Sequence, residues 1–196
     1  DESVRQLEGA EISPNVPLIP VRRLWDLFML NGEAIAADFA LLIKGRKSQE
    51  ISATNQILGN NPVFLEKGAR MECCTINTSG GPVYIGADAE IMEGSILRGP
   101  VAVGTGSTVK MGARIYGPTS IGPQCNMGGE ISRTTILGNF NNAHEGYLGD
   151  AVLGEWCNIG ADTNNSNLKN NYAEVKLWDY VDGLFVKTGL QFCGLV

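Results

Sequence analysis

The chain has 196 residues and a mass of 21.0 kDa, enough for one medium domain with a substantial hydrophobic core. Its net charge of −6 and pI of about 4.8 argue against a nucleic acid or an anionic membrane as the main partner. With 25 glycines and only 7% aromatic residues, the composition predicts many tight turns and a core of aliphatic side chains.

The five cysteines are odd in number and show no CxxC spacing, which is typical of reduced thiols rather than a disulfide framework. The chain also has no apolar run of 18 residues and no signal-peptide pattern. We therefore expect a cytoplasmic protein that makes no use of a membrane.

Two segments precede the part of the chain that repeats. Residues 1–21 are expected to form a linker or extension, because three prolines fall within SPNVPLIP. Residues 22–50 are predicted to form a helical segment in which Ile35, Phe39 and Leu42 share one face. An apolar patch near its start is expected to pack this segment on the first coil of the following fold, and consists of Trp25, Leu27 and Phe28.

The main feature of the sequence is a repeat of six residues. Aliphatic side chains recur at this spacing without a miss at Ile85, Ile91, Leu97, Val103, Val109, Ile115, Ile121 and Met127. Small or β-branched residues follow four positions after the aliphatic ones, at Ala89, Ser95, Val101, Ser107, Ala113, Thr119 and Cys125. A helix needs apolar residues three and four apart, and a simple strand needs them two apart, so neither element explains the pattern.

A second period of eighteen residues is superimposed on the first, since Gly86, Gly104 and Gly122 recur at that interval. Three hexapeptides per turn predict a prism of three flat faces, in which each aliphatic residue stacks on its equivalent one coil later. The predicted fold is therefore mainly β, a parallel β-helix over residues 60–196. It resembles the left-handed hexapeptide-repeat β-helix, and the left hand is implied by that resemblance.

The six-residue rhythm fails between Arg133 and Tyr147 and resumes at Leu148. An interrupted solenoid commonly extrudes a loop at one corner, and such loops often carry binding or catalytic residues. We therefore expect an extruded loop near 133–147.

His144, the only histidine of the chain, lies in this interruption. Histidine accepts a proton near neutral pH without special tuning, so His144 could act as the general base of an acyl transfer. A solvated loop histidine with no chemical role is the better explanation of the bare residue taken alone. A zinc site of three histidines is excluded by the single histidine, and the chemistry considered requires no metal.

The stretch HEGYLGDAVLGEWCNIGADTNNSN resembles the acetyltransferase half of the bifunctional N-acetylglucosamine-1-phosphate uridylyltransferase / glucosamine-1-phosphate acetyltransferase family. That family shows His-x-x-Tyr-x-Gly-Asp, then Gly-x-x-x-Asn-Ile-Gly-Ala-x-Thr, then Asn. The resemblance implies that His144 is the general base. It also implies that Tyr147, Asn158 and Asn167 hold a sugar phosphate, that the Ala161 backbone contacts acetyl-coenzyme A, and that the protein is a homotrimer.

Other segments, including GPVYIGADAEIMEGSILRGP, are similar to the C-terminal portion of bacterial sugar-1-phosphate nucleotidylyltransferase-like proteins. This resemblance implies that a nucleotide-binding domain lies elsewhere in a longer parent chain. Two hypotheses follow: an acetyltransferase domain acting on an amino-sugar phosphate, or a non-catalytic trimerisation or regulatory β-helix attached to a glucose-1-phosphate thymidylyl- or uridylyltransferase. Candidate phosphate ligands, chosen only by proximity, are Lys110, Arg114 and Arg133.

Overall fold

The structure is a computed structural model that describes residues 18–165 and 168–195. Most of these residues wind into coils of three short strands, and each strand pairs in parallel with its equivalent in the next coil. The prediction of a mainly β, parallel β-helix with a short N-terminal helical segment is confirmed.

The helices and strands are short and follow one another closely. The helices are α1 (Asp26–Met29) and α2 (Asn31–Leu42). The strands of the first four coils are β1 (Gln56–Leu58), β2 (Val63–Leu65), β3 (Arg70–Met71), β4 (Thr75–Asn77), β5 (Val83–Ile85), β6 (Glu90–Ile91), β7 (Ile96–Arg98), β8 (Val101–Val103), β9 (Thr108–Val109), β10 (Arg114–Tyr116), β11 (Thr119–Ile121) and β12 (Asn126–Met127). The remaining strands are β13 (Glu130–Ile136), β14 (Asn141–Asn142), β15 (Gly146–Leu153), β16 (Thr163–Asn164), β17 (Lys176–Asp179), β18 (Leu184–Lys187) and β19 (Gly194–Leu195).

These strands build three faces. Face 1 contains β1, β4, β7, β10, the first part of β13 and of β15, and β16. Face 2 contains β2, β5, β8, β11, the second part of β13 and of β15, and β19. Face 3 contains β3, β6, β9, β12 and β14, and a parallel bridge between Asn141 and Asn158 extends it by one coil.

The core consists of the repeat positions that the sequence singled out. All eight aliphatic residues and all seven small residues are at most 2% exposed. Leu97 pairs with Ile115 and Val103 with Ile121, so equivalent side chains eighteen residues apart stack inside the prism. The buried hydroxyls are satisfied locally, since Ser107 Oγ donates to the Gly122 carbonyl at 2.8 Å.

The corner between faces 2 and 3 explains the glycines that recur every eighteen residues. A Cβ added to Gly104 would lie 2.5 Å from the carbonyl carbon of Gly122 in the next coil. The backbones of successive coils therefore touch at this corner, and a larger residue would force them apart.

The segment near 133–147 differs from the expected extruded loop. Residues 130–136 form the continuous strand β13, and Phe140 and Asn142 are buried. Ile121 pairs with Ile136 and Met127 with Asn142, so this coil has fifteen residues where the two coils directly before it have eighteen. The six-residue repeat is interrupted because the corners of this coil are shorter, not because the chain leaves the coil.

The chain leaves the coil later, between β16 on face 1 and β19 on face 2. Strands β17 and β18 form an antiparallel hairpin in this excursion. Val175, directly before β17, and Cys193, directly before β19, are buried together with Phe28 and Val152. The excursion is thus fixed to the solenoid by an apolar cluster of its own.

The helical segment lies across face 2. Its apolar patch of Trp25, Leu27 and Phe28 packs near Val152 of a late coil and not on the first coil, so that expectation was wrong. Helix α1 packs against β13 and β15, and α2 packs against β11. Asn31 fixes this position, because its Oδ1 accepts a hydrogen bond from Ser120 Oγ at 2.7 Å. Phe28, Ile35 and Phe39 are the buried apolar contacts of the two helices.

Leu97 and Ile96 are neighbours on β7 that point to opposite sides of face 1, with exposures of 0% and 48%. We expect Leu97→Ala to lower the free energy of unfolding by about 2–5 kcal/mol, because it leaves a cavity in the core. The matched change Ile96→Ala should cost less than about 1 kcal/mol. Urea unfolding followed by circular dichroism measures both, and equal losses would contradict the inward and outward assignment.

Candidate functional site

His144 lies at the corner between β14 on face 3 and β15 on face 1, where its side chain is exposed. The coil beneath it contains the doublet Gly128–Gly129. A Cβ on Gly129 would lie 3.0 Å from the carbonyl oxygen of His144 and 2.6 Å from that of Gly146. The two glycines therefore let the shortened corner approach the backbone that carries His144.

Ala161 occupies the same corner one coil later. Gly146 pairs with Thr163, and the Asp162 N–H donates to the Glu145 carbonyl at 2.7 Å, so the backbone of 160–163 stacks directly on that of 143–146. Ala161 is exposed. The structure thus places the implied base and the implied acetyl-coenzyme A contact in adjacent coils at one solvent-facing corner.

Tyr147 lies on the face 1 side of this corner. Its backbone is fixed by two asparagines of the next coil: its N–H donates to Asn164 Oδ1 at 2.8 Å, and its carbonyl accepts from the Asn165 N–H at 3.0 Å. Burial raises the pKa of the Tyr147 phenol, and the nearby charges of Asp150 and Glu130 raise it further. The phenol therefore stays protonated at neutral pH and can donate a hydrogen bond.

Asn158 lies on the face 3 side of the corner and is exposed. Its Oδ1 accepts a hydrogen bond from Asn141 Nδ2 at 2.6 Å. Asn167, the third residue implied in sugar-phosphate binding, lies outside the described residues. The structure therefore brings four of the five candidate residues to one corner: His144, Tyr147, Asn158 and Ala161.

Ion pairs lie at both edges of face 1: Arg114 is paired beside the His144 corner, and Arg133 is paired at the corner between faces 1 and 2. Arg114 lies 3.0 Å from Glu145 and 3.6 Å from Glu130, and its hydrogen bond to Glu145 is the main reason that its pKa is raised. Arg133 pairs with Asp150, whose carboxyl is nearly buried. Burial raises the pKa of Asp150, and the Arg133 guanidinium opposes that rise. Two of the three cations that we considered as phosphate ligands are thus already paired with carboxylates.

Sequence reasoning missed the residues that hold the corner in place, namely Gly128, Gly129, Asn141, Asn164 and Asn165. The first two carried a usable signal, because a glycine doublet directly follows Met127, the last residue of the unbroken six-residue repeat. The three asparagines carried no such signal, because their side-chain amides form hydrogen bonds to other coils, and the sequence does not show which residues of different coils are neighbours. Asn165 accepts from the Gly149 N–H at 2.8 Å and donates to its carbonyl at 3.0 Å, which replaces a backbone ladder with a side chain.

Within the described residues, no group of three or more histidine, cysteine, aspartate or glutamate side chains is placed to hold a metal ion. Over the same ranges, no helix has the length and apolar character needed to cross a membrane.

Comparison with known proteins gives a partial match to one family. The chain is 43% identical over 68 residues to the bifunctional protein GlmU of Picosynechococcus sp. (strain ATCC 27264 / PCC 7002 / PR-6), which is 34% of this chain and 14% of that protein. It is 42% identical over 67 residues to the bifunctional protein GlmU of Gloeothece citriformis (strain PCC 7424), which is 33% of this chain and 14% of that protein. No protein-family model matches the chain.

The fold and the comparison agree on the class of domain. The chain forms a hexapeptide-repeat β-helix, and its matched segment makes it similar to the left-handed β-helix domain of bifunctional GlmU proteins. Since the match covers only 14% of the length of each relative, it concerns this domain and not the whole of those proteins.

Gly129 and Gly112 allow a matched test of the corner, since both have positive φ, +72° and +71°. A Cβ at Gly112 has no neighbour within 4 Å, so Gly112→Ala should cost only the left-handed backbone strain, about 1–2 kcal/mol. Gly129→Ala adds a clash with the His144 corner and should cost at least about 1 kcal/mol more. Urea unfolding of both variants measures the difference, and equal stabilities would show that the corner is not held by this contact.

Proposed function

We propose that this domain is an acyltransferase of the hexapeptide-repeat type, which transfers the acetyl group of acetyl-coenzyme A to an amino-sugar phosphate with His144 as general base. The observation that carries the proposal is the stacking of His144 and Ala161 at one exposed corner in consecutive coils. Residues in adjacent strands lie about 4.8 Å apart, so a single thioester group can contact both.

The corner fits acetyl-coenzyme A in two respects. Ala161 carries only a methyl group, which leaves room above the coil, and its backbone N–H has no acceptor among the described residues. A free, exposed N–H can donate to an acyl oxygen or an amide of the pantetheine arm. Acetyl-coenzyme A supplies the activated acetyl group, and the remaining chemistry falls to the side chains of this chain.

His144 takes a proton from the neutral amine of the acceptor as the amine nitrogen attacks the thioester carbonyl carbon. The new C–N bond forms, the C–S bond breaks, and His144 returns the proton to the departing thiolate. Tyr147 and Asn158 flank the corner on its two faces, where they can hold the acceptor by hydrogen bonds. We assign the same role to Asn167 by its resemblance alone.

A specific observation supports a second candidate function, a non-catalytic β-helix that trimerises or regulates a sugar-1-phosphate nucleotidylyltransferase. Arg114 beside the corner is already neutralised by Glu130 and Glu145, which leaves it poorly available to a sugar phosphate. Face 1 also exposes the apolar side chains of Leu58, Ile96 and Tyr116, which would suit packing in a homotrimer. A cytoplasmic location is part of both proposals.

Replacement of His144 distinguishes the two functions. With acetyl-coenzyme A and glucosamine-1-phosphate, we expect His144→Ala to lower the rate of thiol release by about 10²–10⁴-fold, the usual contribution of a general base. The control Met111→Ala also removes an exposed side chain, 69% exposed, just after β9, and should leave the rate unchanged. Free thiol is followed with a chromogenic disulfide reagent.

Two results would contradict the acyltransferase proposal. One is the absence of thiol release by the unaltered protein together with no thermal shift on addition of acetyl-coenzyme A. The other is a rate for His144→Ala equal to that of Met111→Ala. The first result favours the non-catalytic function, and the second removes His144 from the mechanism.

A further inference from the structure

Face 3 presents a column of asparagines that leads into the candidate site. Asn126 pairs with Asn141, and Asn141 pairs with Asn158, so three asparagines occupy the same outward position in three consecutive coils. All three are partly or fully exposed, while the residues that follow Asn126 and Asn141, Met127 and Asn142, are buried. We call Asn126, Asn141 and Asn158 the asparagine strip.

The strip keeps unused hydrogen-bonding groups. Asn141 Nδ2 donates to Asn158 Oδ1, and no other partner for these amides is found among the described residues. Asn141 Oδ1 and Asn158 Nδ2 therefore remain available, and so does the whole side-chain amide of Asn126. The strip thus presents both acceptors and donors, and sugar hydroxyls can bind to either.

The size and charge of the strip narrow the choice of ligand. Strand spacings of about 4.8 Å give it a length of roughly 10 Å from Asn126 to Asn158. No charged or large apolar side chain belongs to it, so neither a polyanion nor a lipid is recognised there. A neutral carbohydrate of about two sugar units fits both the length and the chemistry.

We propose that Asn126 and Asn141 extend the acceptor site, so that the strip binds a neutral carbohydrate unit joined to the sugar that lies at Asn158. The proposal depends on the proposed function only in taking Asn158 as a sugar contact. The acceptor of the proposed acetyl transfer is then an amino-sugar phosphate that carries a second, uncharged sugar. Stacked asparagines can also stabilise a coil by pairing with one another, and the test separates this structural role from binding.

Calorimetric titration with triacetylchitotriose, a neutral amino-sugar oligomer, tests the strip directly. We expect saturable binding to the unaltered protein and at least a tenfold loss of affinity for the double variant Asn126→Ala/Asn141→Ala. Glu90→Ala is the matched control, because Glu90 occupies the same outward column two coils before Asn126. Its affinity should be unchanged.

A second measurement protects the test if the double variant folds poorly. In the unaltered protein, triacetylchitotriose should shift the side-chain amide resonances of Asn126 and Asn141. Absence of both binding and shifts, or unchanged affinity in a folded double variant, would overturn the proposal. Binding that persists while the protein releases no thiol from acetyl-coenzyme A would leave the strip standing and remove only the acyltransferase function.

Discussion

The close stacking of successive backbones at the corners is the constraint on which the rest of this structure depends. At Gly104 and Gly122 the chain leaves no room for a Cβ, so each coil is held about one strand spacing from the next. A fixed spacing turns every outward position into a column. The candidate site, the ion pairs on face 1 and the asparagine strip are all such columns, and their chemistry depends on which residue each coil supplies.

The corner that carries the candidate site arises where this regular stacking is locally changed. The coil that contains Gly128 and Gly129 is three residues shorter than the two coils directly before it, and the backbone of the next coil closes over the doublet at His144. The shortening costs no core burial, because Ile131 and Ile136 remain at most 2% exposed. A solenoid can therefore alter the position of one exposed side chain without loss of stability in its core.

The sequence predicted the core of the fold well, because burial of one aliphatic residue in every six is a direct consequence of the strand and corner geometry. It could not predict the path of the helical segment, because a six-residue repeat is the same for all three faces and does not indicate which face the helices cover. That choice depends on single contacts such as Asn31 with Ser120.

The sequence analysis also misplaced the excursion. A shorter corner and an extruded loop both interrupt the six-residue repeat of the sequence. Only the pairing of Ile121 with Ile136 in the structure distinguishes them. The site residues were found from a motif, whereas their support by Asn164 and Asn165 depends on contacts between coils.

The net charge beside the His144 corner affects which acceptors can bind there and on the neighbouring asparagine strip. Arg114 and its two carboxylates, Glu130 and Glu145, together carry a net charge of −1, from one positive and two negative groups. The pairs are exposed and worth at most about 1 kcal/mol each, so a phosphate could displace them, but it would still meet the repulsion of the carboxylates. Recognition of a sugar phosphate therefore needs a further cation, and Lys110, which follows β9 on the same line of corners, is the candidate that the ion pairs leave unassigned. A neutral sugar on the asparagine strip meets no such repulsion, so the polarity of face 3 favours an acceptor whose added unit is uncharged.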